Sequence, residues 1–204
     1  MRGHSPPRTL RKLTEEQHCT TAAAIAAVRA CGPSVAATIT AHHLLLIVDD
    51  WAGDPHSFCK PVAKLPSDRL ALIRAAASGD SKFFFGSDSA PHPAAAKTGG
   101  AGRVGKAAAG CFTQPWTAQL VVDALAGAEG KGWLETGTVS REGLAGFLGG
   151  FGRRFYGIEE TGRGTVVLER TGRKVPEVLR GEGGVEVVYF ARGRETWSLQ
   201  WVEQ

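Results

Sequence analysis

Between residues 20 and 160, short apolar runs alternate with stretches whose apolar positions recur at helical spacing. Thr20-Thr21 ahead of Ala22–Ala30 predicts an N-capped helix that stops at Cys31-Gly32-Pro33. Val35 to Thr40 has no polar alternation and predicts a strand buried on both faces, running directly into His42-His43. Ser57-Phe58-Cys59 is a weaker strand candidate, and Ser67 or Asp68 is expected to cap a helix over Arg69–Ala77 that Gly79 ends. Phe83-Phe84-Phe85-Gly86 is the clearest buried strand and delivers Ser87-Asp88 at its carboxyl end. Pro93 to Gly110, rich in alanine and glycine, predicts a mobile loop; Pro115 opens a helix to about Ala126, and Ser140 caps another through Phe147, with a turn near Arg154–Tyr156.

From Thr165 the pattern changes to short β segments, Thr165–Leu168, Val185–Phe190 and Thr196–Val202. Helices alternating with buried strands predict an α/β fold with a mainly parallel sheet. About three such strands precede Thr165, too few for a closed eight-stranded barrel, which takes about 250 residues. The architecture expected is therefore a partial barrel carrying a small C-terminal β-rich appendage.

Composition narrows the function classes. The chain has 24 basic and 20 acidic residues, a formal charge of +4. Arg2, Arg8, Arg11 and Lys12 lie in the first fourteen residues with no acid among them, whereas residues 151–204 are nearly balanced. The excess is a short basic start rather than a patch on a folded face, so nucleic acid is not the expected partner. Cys19, Cys31, Cys59 and Cys111 are scattered, with no C-x-x-C pair, and fit free thiols in a cytoplasmic protein. No apolar stretch approaches the roughly 18 residues of a membrane span.

His18, His43 and Asp88 share one situation, at or just past a strand end or before the helix that follows. Carboxyl ends of parallel strands form the ligand crevice of such sheets, and two imidazoles with a carboxylate suit a divalent ion such as zinc. Taken singly, each histidine could equally satisfy a turn. Gly100-Ala101-Gly102-Arg103-Val104-Gly105 spells a dinucleotide fingerprint, but no strand directly precedes it and no helix opens on it, so it reads as a flexible active-site loop. His42 is expected to point away from the site and His56 to pack at a strand end; Trp51, Trp116, Trp133, Trp197 and Trp201 read as core or surface anchors.

The local sequences are more specific. Phe84-Phe85-Gly86-Ser87-Asp88-Ser89-Ala90-Pro91-His92, Ala37-Thr38-Ile39-Thr40-Ala41-His42-His43-Leu44 and His18-Cys19-Thr20-Thr21 resemble dihydroorotase, the cyclic-amide hydrolase of pyrimidine synthesis, most closely its single-function bacterial and fungal type. Asp54-Pro55-His56-Ser57-Phe58-Cys59-Lys60-Pro61, Ala109-Gly110-Cys111-Phe112, Phe155-Tyr156-Gly157 and Gly193-Arg194-Glu195-Thr196-Trp197-Ser198 extend the resemblance from about residue 17 to the end. It implies a (β/α)8 TIM barrel of the metal-dependent hydrolase type, with two zinc ions at its mouth.

By that resemblance His18 and His43 are two imidazoles on one metal, and Asp88 is a ligand of the other and the catalytic proton carrier. His92 grips a substrate carboxylate, while Ala109 and Lys60 offer backbone contacts to substrate. The implied reaction is reversible hydrolysis of L-dihydroorotate to N-carbamoyl-L-aspartate. Asp88 takes the proton of the attacking water and passes it to the leaving ring nitrogen. The family's His-x-His pair and bridging lysine have no counterpart here: His4 stands alone and Lys12 sits only six residues before His18. Arg11 to Gln17, where the strand delivering His18 belongs, is too polar for a buried barrel strand.

The expected division is a poorly ordered basic start over 1–16, the C-terminal half of a barrel over 17–160 and a β appendage packing on it over 161–204. Such a chain is expected to hold at most one zinc ion and to be inactive alone. It would be a homodimer as in the family or be complemented by an N-terminal half. The alternatives are a non-catalytic remnant or interaction protein, one half of a split enzyme, and an incomplete gene product.

Overall fold

A computed structural model describes residues 14–16, 18–99, 107–159 and 164–203. Its centre is a three-stranded parallel sheet in the order β1-β2-β3, formed by Thr14–Glu16 (β1), Val35–Ile39 (β2) and Phe83–Phe85 (β3). The register pairs Thr14 with Val35 and Glu16 with Ala37 on one side, and Ala37 with Phe83 and Ile39 with Phe85 on the other. β2 is central and its buried residues Ala36, Ala37, Thr38 and Ile39 are covered on both faces, as its unbroken apolar run predicts.

Residues 14–16, assigned to the basic start and part of a stretch too polar for a buried barrel strand, form an outer strand that pairs in parallel with β2. Thr14 is exposed, and the ladder is made by main-chain groups, so an outer strand forms without apolar side chains. The rest of the basic start, including His4 and Lys12, lies outside the described residues, as does the glycine-rich run 100–106.

Crossovers of helix connect the strands. Helix α1 (Ala22–Ala30) is capped by the Thr21 side chain, which accepts from the amide of Ala24, and buries Ile25 and Val28. Two short helices, α2 (Ala41–Leu45) and α3 (Val48–Ala52), follow β2. The strand expected at Ser57–Cys59 is instead a 3-10 turn over Pro55–Ser57. Pro55 has the φ of a helix start, and the Asp54 carboxylate accepts from the His56 amide at 3.0 Å and the Ser57 hydroxyl at 2.9 Å, which favours the turn over an extended chain. Helix α4 (Pro66–Ala77) begins earlier than expected, and Asp68 in its first turn accepts from the amides of Leu65 and, at 2.9 Å, of Ala22, joining the starts of α4 and α1.

After β3, the loop expected over Pro93–Gly110 includes a short helix, α5 (Ala94–Lys97). Helix α6 runs over Thr117–Gly130, beyond the expected end at Ala126. Ser140 caps α7 (Arg141–Ala145), which continues through a wider turn at Gly146–Gly150 into α8 (Phe151–Tyr156), so Arg154–Tyr156 is helical rather than a turn. β4 (Gly164–Glu169) then pairs with β7 (Ser198–Glu203), and β5 (Val178–Arg180), which the pattern missed, with β6 (Glu186–Val188), both antiparallel.

One core joins these parts. Ile39, Phe83, Leu72, Leu120, Leu125 and Phe147 are buried together with Val175, Tyr189 and Phe190 from the C-terminal region. That region docks through Phe112 stacked on Tyr189 at 4.7 Å, and through the Thr196 hydroxyl, which donates to buried Asp123 at 2.7 Å. Leu120 on α6 is 0% exposed. Leu120→Ala is expected to cost about 2–5 kcal/mol by leaving a cavity in this core. A drop in the urea midpoint, followed by circular dichroism, reads that loss; an unchanged midpoint would place Leu120 outside the core.

Candidate active site

The parallel register brings the carboxyl ends of β1, β2 and β3 to one edge. The main chain continues the ladder beyond the strands, with the Cys19 amide donating to the Thr38 carbonyl at 2.9 Å and the Gly86 amide to that of Ile39 at 3.2 Å. His18 and Asp88 project from this edge, and His18 Nε2 lies 3.6 Å from Asp88 Oδ1. Both residues hold positive φ, 65° and 40°, although neither is glycine. Such backbone is costly and persists only where the surroundings over-determine it, as functional sites do.

Thr38 supplies part of that determination. Its hydroxyl accepts from the His18 amide at 3.0 Å and meets His18 Nδ1 at 3.2 Å. With Nδ1–H donating to Thr38, Nε2 presents a lone pair on the side of Asp88, the tautomer that a metal-binding imidazole needs. Gly86, at the end of β3, passes so close that an added Cβ would lie 2.8 Å from Thr38 Cβ. The glycine is thus set by the close approach of two strands beneath the site.

The remaining predicted residues fall into two groups. His43, expected beside His18 and Asp88, is buried and bonded elsewhere: Nε2 donates to the Pro61 carbonyl at 2.7 Å and Nδ1 meets the Thr40 hydroxyl at 2.8 Å. Both ring nitrogens of His43 are thus engaged within the core, one donating and the other accepting. His42, expected to point away, does the reverse. Its Nε2 lies 3.8 Å from Asp88 Oδ2, and the ring is 0% exposed with no hydrogen-bond partner at either nitrogen among the described residues.

His92 Nε2 donates to the Ala109 carbonyl at 2.9 Å, so these two predicted substrate positions meet each other. Lys60 is exposed on the rim of a cleft bounded by Trp51, Phe58, Lys97 and Ala107, and neither His18 nor Asp88 lines that cleft. His56 sits in the 3-10 turn, where burial is the largest influence and lowers its pKa.

Sequence reasoning missed Lys97. Lys97 is 3% exposed, and its ammonium donates to the carbonyls of Phe58 at 2.8 Å and Gly110 at 2.6 Å, tying together the loops that carry Lys60 and Ala109. It also missed Thr38 and Thr40. Two hydroxyls at alternate positions of an otherwise apolar strand share one face, and that signal was legible in Val35–Thr40.

No family model matches the chain. The probable dihydroorotase of Schizosaccharomyces pombe is 48% identical over 167 residues, 81% of this chain and 45% of that protein. The dihydroorotase of Saccharomyces cerevisiae is 36% identical over 197 residues, 91% of this chain and 50% of its own length. The crystal structure of Saccharomyces cerevisiae dihydroorotase in complex with 5-fluoroorotic acid superposes with a TM-score of 0.78 at 35% identity, over 93% of this chain and 52% of that one. An L-hydantoinase from Arthrobacter aurescens, at 14% identity and a TM-score of 0.64, shares the fold alone.

The parallel strands crossed by helices, together with the likeness to those structures, make the fold part of a (β/α) barrel of the amidohydrolase type. Over most of its own length the chain is similar to dihydroorotases, and it spans about half the length of the curated relatives it matches.

Burial holds His42 below its ordinary pKa of 6.5 and so keeps the ring neutral. As pH falls below about 6.5 the unfolded chain takes up a proton that the folded ring refuses, so this contribution to stability is present above that pH and lost below it. Urea midpoints measured across that range should fall with pH, and the fall should be shallower in His42→Gln. An equal slope in both proteins would rule out the buried imidazole as its source.

Proposed function

We propose that this chain carries the His18–Asp88 part of a dihydroorotase centre. The reaction is zinc-dependent, reversible hydrolysis of L-dihydroorotate to N-carbamoyl-L-aspartate in pyrimidine synthesis. The observation that carries the reading is the convergence of His18 and Asp88, both in positive-φ backbone, to 3.6 Å at the carboxyl ends of β1 and β3. An imidazole with its far nitrogen bonded to Thr38 and a half-exposed carboxylate fit a zinc ion, with His18 Nε2 and Asp88 as the donors. Bound there, zinc supplies Lewis acidity and lowers the pKa of water.

Asp88 is the proton carrier of the reading, accepting at a carboxylate oxygen and returning the proton to the ring nitrogen that leaves. His42 at 3.8 Å faces the other oxygen of that carboxylate. His92 and the backbone at Ala109 and Lys60 orient the substrate carboxylate, on loops stitched by Lys97. No His-x-His occurs in the 204 residues, so the remaining metal ligands must come from outside this sequence, and the isolated chain is inactive. A non-catalytic protein that keeps the half-site is the second reading, favoured by that same missing pair. No helix among the described residues is long and apolar enough to cross a membrane.

The test is hydrolysis of L-dihydroorotate by the chain alone and together with the first half of the Saccharomyces cerevisiae enzyme. The expected result is no turnover alone and turnover in the mixture, reduced at least ~100-fold by Asp88→Asn, as loss of a general base requires. Turnover by the chain alone would overturn the ligand assignment; none in a well-folded complex would favour the non-catalytic reading.

A further inference from the structure

Away from the sheet edge, three cations gather around one indole. Arg69 lies on α4, Lys131 directly follows α6, and Arg194 belongs to the C-terminal region. With Trp133 they line a pocket of about 80 Å³ whose wall includes residues of α2, α4 and α6. The Arg69 guanidinium lies 5.1 Å from the centre of the Trp133 ring, and the Lys131 ammonium 4.7 Å from it. A ring attracts each cation without cancelling its charge, so two like charges held against one indole repel unless an anion joins them.

The negative groups nearby are already committed. Asp123, whose carboxylate is on the pocket wall, accepts from the Thr196 hydroxyl at 2.7 Å and lies 3.8 Å from Arg170. At the end of α6, the Gly127 carbonyl accepts from the Lys131 amide at 3.1 Å and the Ala128 carbonyl from the Trp133 amide at 2.9 Å. Among the described residues, neither Lys131 nor Arg194 forms an ion pair. Arg69 supplies the independent observation. Its Nη1 donates to the Leu45 carbonyl at 3.1 Å and lies 3.9 Å from Asp50, but its Nε is buried with no hydrogen-bond partner. A buried donor on a charged group is costly to leave unbonded, and an acceptor from outside the chain would satisfy it and balance the charge together.

We propose that Arg69, Lys131 and Arg194 form a site for one tetrahedral oxyanion, either inorganic phosphate or the phosphate end of a small monoester. Arginine suits that ligand because its planar fork of N–H donors matches the oxygens of a phosphate. Arg69 donates from the pocket wall, while Lys131 and Arg194, both exposed, add charge from the solvent side. A water needs roughly 10–15 Å³ of such space, so about 80 Å³ holds the four oxygens of one ion and leaves any ester substituent outside. The ion joins α4, the end of α6 and the C-terminal region, so its binding strengthens the docking of that region on the barrel wall.

The site does not depend on the dihydroorotase reading, and its test does not use hydrolysis. The full chain is titrated calorimetrically with sodium phosphate at an ionic strength held constant with chloride. The expected result is one saturable site per chain, weakened at least ~10-fold in Arg69→Gln and at least ~3-fold in Lys131→Gln and in Arg194→Gln. Arg180→Gln should leave the affinity unchanged; Arg180 pairs with Glu186 on an exposed ribbon and controls for the loss of charge alone. Saturating phosphate should also raise the urea midpoint of the parent chain, because it binds only the folded state. Circular dichroism establishes that each variant is folded, and Lys131→Gln and Arg194→Gln, which alter exposed side chains, carry the test if Arg69→Gln is not. Glycerol phosphate binding as tightly as phosphate assigns the site to a monoester, and a preference for phosphate assigns it to the free ion; either result supports the site. An absence of saturable binding, or binding that Lys131→Gln and Arg194→Gln leave unchanged, would overturn the proposal.

Discussion

The hydrogen-bonded parallel ladder of β1, β2 and β3 is the constraint on which the rest depends. A parallel register offers no freedom to slide without moving every side chain to the other face, and here it levels the three carboxyl ends. The ladder then continues one step past the strands, through the Cys19 amide to Thr38 and the Gly86 amide to Ile39. Those two bonds fix where the chain turns away, and His18 and Asp88 stand at the turns. Their positive φ is held by this frame, since neither residue has glycine's freedom.

Around that edge, polar groups inside the barrel wall do the positioning. Thr38 and Thr40 lie two residues apart, and their hydroxyls reach two different imidazoles, His18 and His43. The first bond turns His18 toward Asp88; the second, with the Pro61 carbonyl, anchors His43 in the core. Lys97 performs the same service for the loops, since its buried ammonium bonds the carbonyls of two segments about fifty residues apart in sequence. Buried polar groups are tolerated where they are bonded, and one of the exceptions among the described residues, His42, sits between Asp88 and Cys59.

The C-terminal region is joined to this frame by contacts of both kinds. Val175, Tyr189 and Phe190 enter the common core, and Thr196 bonds buried Asp123 on α6. The ribbon of β4 and β7 keeps large apolar side chains exposed, Trp201 at 59% among them. The core therefore reaches the appendage through its inner segments, while the ribbon's outer face is left to solvent in the isolated chain.

Sequence alone determined the buried strands at Val35 and Phe83, the helices capped by Thr21 and Ser140, and the placing of His18 and Asp88 at strand ends, because apolar runs and caps are local properties. The local motifs likewise sufficed to indicate the dihydroorotase relationship. Tertiary structure alone decided that polar Thr14–Glu16 is a strand, since a ladder at a sheet's outer side is made by the backbone and leaves no side-chain signature. It also decided which of two adjacent histidines faces Asp88. His42 and His43 are neighbours on one short helix, and their directions are set by Thr40 and by Pro61, eighteen residues beyond His43, a contact that no pattern along the chain encodes.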